Sequence, residues 1–325
     1  MVAPLPFLLM GVSSWGWFHA ANVMLGLSHG LIGSATLIWM IDLAGPARRG
    51  WAAGLHGAAG AGAMALSAHV IRGMVAGQCL RPNTPLAVGV GYVLLGAVLV
   101  ATLSRQPGPI AAPAPAAAEG PLDRQGAGQR SADTSGRQPA LGALDLAGFV
   151  HKSIDGMAWG LLSRAVLSDG LDRATVGALL VVYPVTAGLG QLLGGALSDR
   201  VGRRPLILGG MVAQALAIVG VAAADAPWAH AAAAALLGLG AAALSPALLA
   251  AVSDLAAPAR RASAIGAHRL WRELGFVAGA VLAVLSAEAV GTSATLLVGG
   301  GIALGGGLWV GVRVWGWGGG GADLG

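Results

Sequence analysis

Lys152 and Asp155 stand three residues apart in a stretch that is otherwise largely apolar, so in a helix they share one face. Arg272 and Glu273 lie in a second apolar stretch, with His268 one turn earlier. Charged groups inside a membrane span cost about 2.5–3.5 kcal/mol at its centre and mark functional sites. Two chemistries fit. Asp155 or Glu273 takes up a proton or faces a cationic solute, or the charges are neutralising pairs that only hold helices together. His29, Ser28, Ser34 and Thr36 add polar character to an earlier run, although such hydroxyls mostly bond their own backbone. Gln191 and Gln214 are similar cases, and Tyr183-Pro184 marks a candidate kink.

Enzyme chemistry finds little support. The segment Gly26-Leu-Ser28-His29-Gly30 fits a nucleophile-elbow pattern, but that pattern needs a strand-to-helix turn and here sits within an apolar run. Gly57-Ala-Ala-Gly60-Ala-Gly62 lacks the strand that a dinucleotide site needs. No Cys/His spacing suggests a metal, no cofactor is expected, and the single cysteine, Cys79, allows no intrachain disulfide. The chain is read as a non-enzyme.

The elements that carry these residues are helices in lipid. The 325 residues are 56% hydrophobic and only 10% charged, with a mean hydropathy of +0.73, against about 25% charged in soluble domains. Leu86–Ser104 and Pro205–Ala224 contain no charge. Such runs are long enough, or nearly so, to cross a ~30 Å hydrocarbon core. Full spans are predicted near 18–43, 47–71, 84–104, 145–167, 174–198, 205–224, 230–254, 259–287 and 292–315, after an apolar stub at 1–13. Residues 105–142 are Pro-, Ala-, Gly- and Gln-rich and read as a flexible linker, and 317–325 as a Gly-rich tail. No charged segment precedes the first apolar run, so no cleavable signal peptide is expected.

The pI of about 10.6 would suggest nucleic acid in a soluble protein. Here the arginines cluster in short loops: Arg48 and Arg49, then Arg200, Arg203 and Arg204, then Arg260 and Arg261. That is the positive-inside pattern, so the partner is the bilayer rather than nucleic acid. The loops near 44–49, 199–204 and 255–261 are expected on the cytoplasmic side, with the linker.

Residues 41–50 read IDLAGPARRG and 253–262 read SDLAAPARRA, at an offset of 212 (254 − 42). The chain is therefore two related rows of helices, with Asp42 and Asp254 as mates. Internal repetition of membrane helices is the signature of a secondary transporter. Between two spans stands Gly195-Ala-Leu-Ser-Asp199-Arg200-Val-Gly202-Arg203-Arg204. It resembles the loop signature G-x-L-x-D-R-x-G-R-R of the major facilitator superfamily (MFS). Gly195 allows close helix packing, Gly202 allows a tight turn, and Asp199 can accept from donors at the start of a neighbouring helix, with the one near Pro46 expected. The two D-L-A-x-P-A-R-R segments resemble the family's turns after the fourth and tenth helices. Asp155-Gly-Met-Ala-Trp-Gly160 and Arg269-Leu-Trp-Arg-Glu-Leu-Gly275 resemble one prokaryotic subgroup.

The resemblance implies an all-α, polytopic protein of two pseudo-two-fold bundles, with about nine full spans and a partial one. It implies an incomplete bundle at 1–104 and a complete six-helix bundle at 143–316. It also implies alternating access for a small organic solute in the bacterial inner membrane, with protons as a candidate coupling ion and efflux as the first guess. Asp155 and Arg272 fall on the first and fifth helices of the second half, which line the central cavity in that fold. Projected by the offset, the mate of Asp199 falls at 199 − 212 = −13, before Met1. A late start or an interrupted gene is therefore expected, with about seventy further residues encoded upstream. The alternative is a non-transporting short form, such as a sensor, an assembly subunit or a gene fragment.

Overall fold

The computed structural model describes residues 15–76, 89–96, 98, 124–168 and 173–315. The expected stub at 1–13, most of the span at 84–104, the linker up to 123 and the tail at 317–325 lie outside them. The described residues are helical throughout apart from short turns, with no strand among them.

The helices are α1 (Trp15–Ala44), α2 (Arg49–Ala76), α3 (Arg124–Ser168), α4 (Arg173–Val201), α5 (Arg203–Ala223), α6 (Pro227–Leu255), α7 (Arg261–Val290) and α8 (Thr292–Trp315). Pro46 and Pro258 each open a single 3-10 turn, before α2 and α7. A proline suits that place because its missing N–H would find no helical acceptor there. α3 begins at Arg124, inside the expected linker. Arg and Gln in its first turns favour helix, whereas Gly126, Gly128, Gly136 and the internal Pro139 do not, so this end extends a helix held further along.

Among the described residues six stretches are long and apolar enough to cross a membrane: Val23–Ala44, Val181–Val201, Arg203–Ala223, Pro227–Leu255, Pro258–Val290 and Thr292–Val312. α2 and α3 are long enough as well, at 28 and 45 residues. They fall outside that set because α2 is built largely of glycine and alanine, and because α3 carries His151, Lys152 and Asp155.

Two compact units form, one of residues 1–36 and 64–123, the other of 37–63 and 124–325. This division differs from the expected bundles at 1–104 and 143–316. The end of α1, the Pro46 turn and the start of α2 belong with the second unit, and the polar contacts described below are the reason. In the first unit, the described parts of α1 and α2 and residues 89–96 are helical.

Within the second unit α3 packs on α7, α4 on α6, and α5 on α6 and α8. α6 is the central helix. Leu237 joins one buried cluster with Ile154, Leu161, Ile218 and Leu296. Leu244 and Leu248 join another with Leu37, Ile41, Ala53, Met211 and Ile265. The outer faces are apolar too: Leu193 is 75% and Leu308 72% exposed, as suits side chains that meet lipid. In lipid, apolar burial does not drive helices together; close packing of small residues does. The α3–α7 interface follows this rule. A Cβ on Gly275 would collide with the Phe149 backbone, one on Gly279 with the Ser153 backbone, and one on Gly156 with the Phe276 carbonyl.

Candidate functional site

Two polar clusters stand in the second unit. The first gathers around the signature loop. α4 ends at Val201, Gly202 turns the chain at φ 96°, and α5 begins at Arg203. A side chain is strained at that φ, so glycine is required there. The turn leaves Asp199 facing the start of α2. Its Oδ1 accepts the Gly50 N–H at 2.9 Å and its Oδ2 the Trp51 N–H at 2.7 Å. These amides have no acceptor within their own helix, and a carboxylate there also meets the positive end of the helix dipole. The approach is possible because Gly50, Gly54 and Gly195 lie backbone to backbone, and a Cβ on any of them would strike the facing chain.

Arg203, which is buried, joins this carboxylate to a second one. Its Nη1 donates to Asp199 and to Ser198 Oγ (2.8 Å), and its Nε donates to Asp254 Oδ2 at 3.1 Å. Arg49 Nη1 donates to Asp254 Oδ1 at 2.6 Å and to the Ser253 carbonyl at 3.3 Å. Arg261 Nη1 donates to Asp42 Oδ1 at 2.9 Å. Under the repeat offset Asp42 is the mate of Asp254, and Arg49 the mate of Arg261. The pairs Arg49–Asp254 and Arg261–Asp42 are thus one contact made twice with the partners exchanged, as a two-fold axis requires. Both turns therefore lie at the same end of the molecule. Arg48, Arg200 and Arg260 are exposed and make none of these bonds, and Arg204 is half-buried.

The second cluster lies in the helix interior. Asp155 on α3 is 2% exposed. Its Oδ2 accepts from Lys152 Nζ at 2.9 Å, and its Oδ1 from Tyr183 Oη at 2.7 Å and from Gln214 Nε2 at 3.3 Å. The Gln214 oxygen faces His151 Nδ1 at 2.9 Å, and His151 Nε2 faces Ser245 Oγ at 3.1 Å. Arg272 Nη2 donates to Ser245 Oγ at 3.2 Å. An amide oxygen only accepts, so Nδ1 of the neutral ring carries the proton and Nε2 accepts the serine hydroxyl. Every donor then points the same way: from Arg272 through Ser245, His151 and Gln214 to Asp155. The line joins α7, α6, α3 and α5, with Tyr183 adding α4.

His268 is fully buried beside this line, with Nδ1 3.0 Å from Asp145 Oδ1. Gly148 makes the room: a Cβ there would stand 2.6 Å from His268 Cε1 and 2.9 Å from Arg272 Cγ. Glu273 is exposed on α7 and joins none of these bonds, and His29 is exposed in the other unit. Of the charged residues singled out from sequence, Lys152, Asp155 and Arg272 thus meet through this line, with His268 packed against its Arg272 end.

Sequence reasoning missed His151, Ser245 and Asp145, and read Tyr183 only as a kink and Gln214 only as a generic polar residue. One signal was available, since His151 and Asp155 are four apart and share a helix face. The contributions of α4, α5 and α6 had no local signal.

Comparison with known proteins bears on the family and the fold. A family model described as the Major Facilitator Superfamily matches residues 144–315, more than half of the chain. The Chloramphenicol resistance protein of Pseudomonas aeruginosa is 49% identical over 53 residues, 16% of this chain and 13% of that protein. The Inner membrane transport protein YajR of Escherichia coli (strain K12) is 34% identical over 105 residues, 32% of this chain and 23% of that protein. The matches thus span less than a quarter of either relative's length. The crystal structure of the human organic anion transporter MFSD10 (TETRAN) superposes with a TM-score of 0.69 at 14% identity, over 95% of this chain and 74% of that one, which is a likeness of fold. A helical membrane chain with a signature loop clamped onto repeat-related turns, and with a family match across its second half, belongs to the major facilitator superfamily of membrane transporters.

Proposed function

We propose that the chain carries a small organic solute across the bacterial inner membrane by alternating access, with the interior line from Arg272 to Asp155 at its binding centre and proton movement as the coupling. The reciprocal salt bridges Arg49–Asp254 and Arg261–Asp42 carry this reading. Ion pairs between repeat-related turns hold one end of the molecule shut, and unlike a packed core they can part and re-form in water. Arg203 and Asp199 strengthen the clasp on one side. A rocking carrier needs such a clasp at one end while the other end opens. Efflux is the favoured direction, supported by the relative named for chloramphenicol resistance. The inner membrane is supported by the relative named as an inner membrane transport protein.

Asp155 is the proposed proton site because it is the buried carboxylate on which six other polar side chains converge, three directly and three in sequence. The test is reconstitution of the full chain in lipid vesicles with an imposed pH gradient. The probes are chloramphenicol (neutral), fluorescein (anionic) and tetraphenylphosphonium (cationic). At least one probe moves against its own gradient, and a protonophore abolishes the movement. Asp155→Asn lowers that pH-driven movement at least tenfold while the chain stays folded. Failure of all three probes to move sinks the transport reading, and unchanged transport by Asp155→Asn removes Asp155 from the mechanism.

A further inference from the structure

We infer that Arg272 is the anchor for an anionic group, and that the solute taken by this site is an organic anion bearing a carboxylate or a similar oxyanion. The inference rests on the transport reading above and names the substrate class of the same site.

Arg272 lies roughly 17 Å along α7 at ~1.5 Å per residue, near the middle of a ~30 Å core. Its stem packs against Gly148, and one Nη2–H donates to Ser245. A guanidinium has five N–H donors in a planar fork. The Nε of Arg272 is buried and has no acceptor. Among the described residues no carboxylate stands within ion-pair distance of it. Lys152, the other cation of the line, is paired with Asp155 at 2.9 Å.

Charge and bonding capacity point the same way. Lys152 and Arg272 are two cations against the single anion Asp155, and both nitrogens of His151 are held in hydrogen bonds. Within the hydrogen-bonded line the cations thus outnumber the anions, and Arg272 is balanced at a distance by Glu273 and Asp155 rather than by a bonded carboxylate. Asp155 has little left to offer a cationic solute, because Lys152 occupies one oxygen and Tyr183 with Gln214 the other. Glu273 follows Arg272 in sequence, about 100° around the helix, and is exposed. A cationic solute would meet the Arg272 guanidinium with repulsion, whereas an anion supplies the acceptor that Nε lacks. A carboxylate fits best, since its two oxygens match the spacing of the guanidinium fork.

The test uses the purified full chain in lipid nanodiscs. Fluorescein binding is read by anisotropy, with salicylate as an anionic competitor, chloramphenicol as a neutral one and tetraphenylphosphonium as a cationic one. Fluorescein binds and salicylate displaces it, while tetraphenylphosphonium does not. Arg272→Gln weakens fluorescein binding at least tenfold, and Arg272→Lys recovers part of the loss. If Arg272→Gln does not fold, Arg272→Lys and the competition on the natural chain decide. Failure of the natural chain to bind either anion overturns the inference, as does fluorescein binding by a folded Arg272→Gln chain equal to that of the natural one. The transport reading fails separately. A chain that binds fluorescein through Arg272 but moves no probe across a vesicle loses the transport reading alone. A chain that moves chloramphenicol or tetraphenylphosphonium equally well with Arg272→Gln loses the anion inference alone.

Discussion

The two repeat-related turns, 42–51 and 254–263, share Asp, Leu, Ala, Pro, Ala, Arg and Arg in order and still do different work. Each offers one aspartate and one arginine to the other, so the exchange is symmetric. The surroundings are not. The amides of Gly50 and Trp51 at the start of α2 are capped by Asp199, whereas at the start of α7 Arg260 makes no side-chain cap and no other described residue is placed as one. Arg203 reaches Asp254 but nothing equivalent among the described residues reaches Asp42. The Asp254 side chain is accordingly 20% exposed and that of Asp42 51%. Two differences in sequence go with this. Gly45 takes φ 73° where its mate Ala257 sits at φ −58°. Gly50 touches the Gly195 backbone where its mate Ala262 is exposed. A duplicated motif has kept its pairing chemistry and has been specialised by what packs against it.

The sharpest way to break this comparison is Asp199→Ala. It strips the cap from α2 and leaves Arg203 buried with one carboxylate fewer, at a cost of about 3 kcal/mol, the low end for opening a buried ion pair. Equilibrium unfolding in detergent reads the loss, and an unchanged midpoint would mean that Asp199 does not hold α2. A smaller effect comes from the glycines. Gly50→Ala drives a methyl group into the Gly195 carbonyl and should cost about 1–3 kcal/mol, as overpacking does. The mate change Ala262→Gly should cost under about 1 kcal/mol, through helix propensity alone. Equal costs would erase the distinction between the turns. The smallest effect is in the pairs themselves. A double-mutant cycle on Arg49 and Asp254 should give a larger coupling than one on Arg261 and Asp42, where exposure limits the value to about 0–1 kcal/mol. The reverse order would show that the cap and Arg203 do not support Asp254.

Much of this was legible from the chain alone. The spans, the turns at Pro46 and Pro258, the repeat and the signature loop are written in hydropathy, in proline and glycine placement and in an ordered motif. All are local properties of a few to about twenty-five residues. Even the approach of Asp199 to the helix after Pro46 could be anticipated, because a carboxylate just before a tight turn finds free donors only at a helix start. The interior site was half legible. Lys152 and Asp155 announce themselves as charges within a span, and so does Arg272. Glu273 gave the same signal and is exposed, because one residue turns a helix by about 100° and neighbouring side chains face different surroundings.

The sequence by itself determined that this chain is a row of membrane helices in two related sets, since hydropathy over a helix length and a motif repeated at a fixed offset need no partner to be read. Only the tertiary structure decided that Tyr183, Gln214, His151 and Ser245 close the line between Asp155 and Arg272, and that Asp199 serves one turn and not its twin. Those bonds join residues 27 to 149 positions apart, and whether they form depends on how each helix is rotated about its own axis. That rotation is set by small-residue contacts such as Gly275 on Phe149 and Gly54 on Gly195, which belong to pairs of helices and not to any one segment.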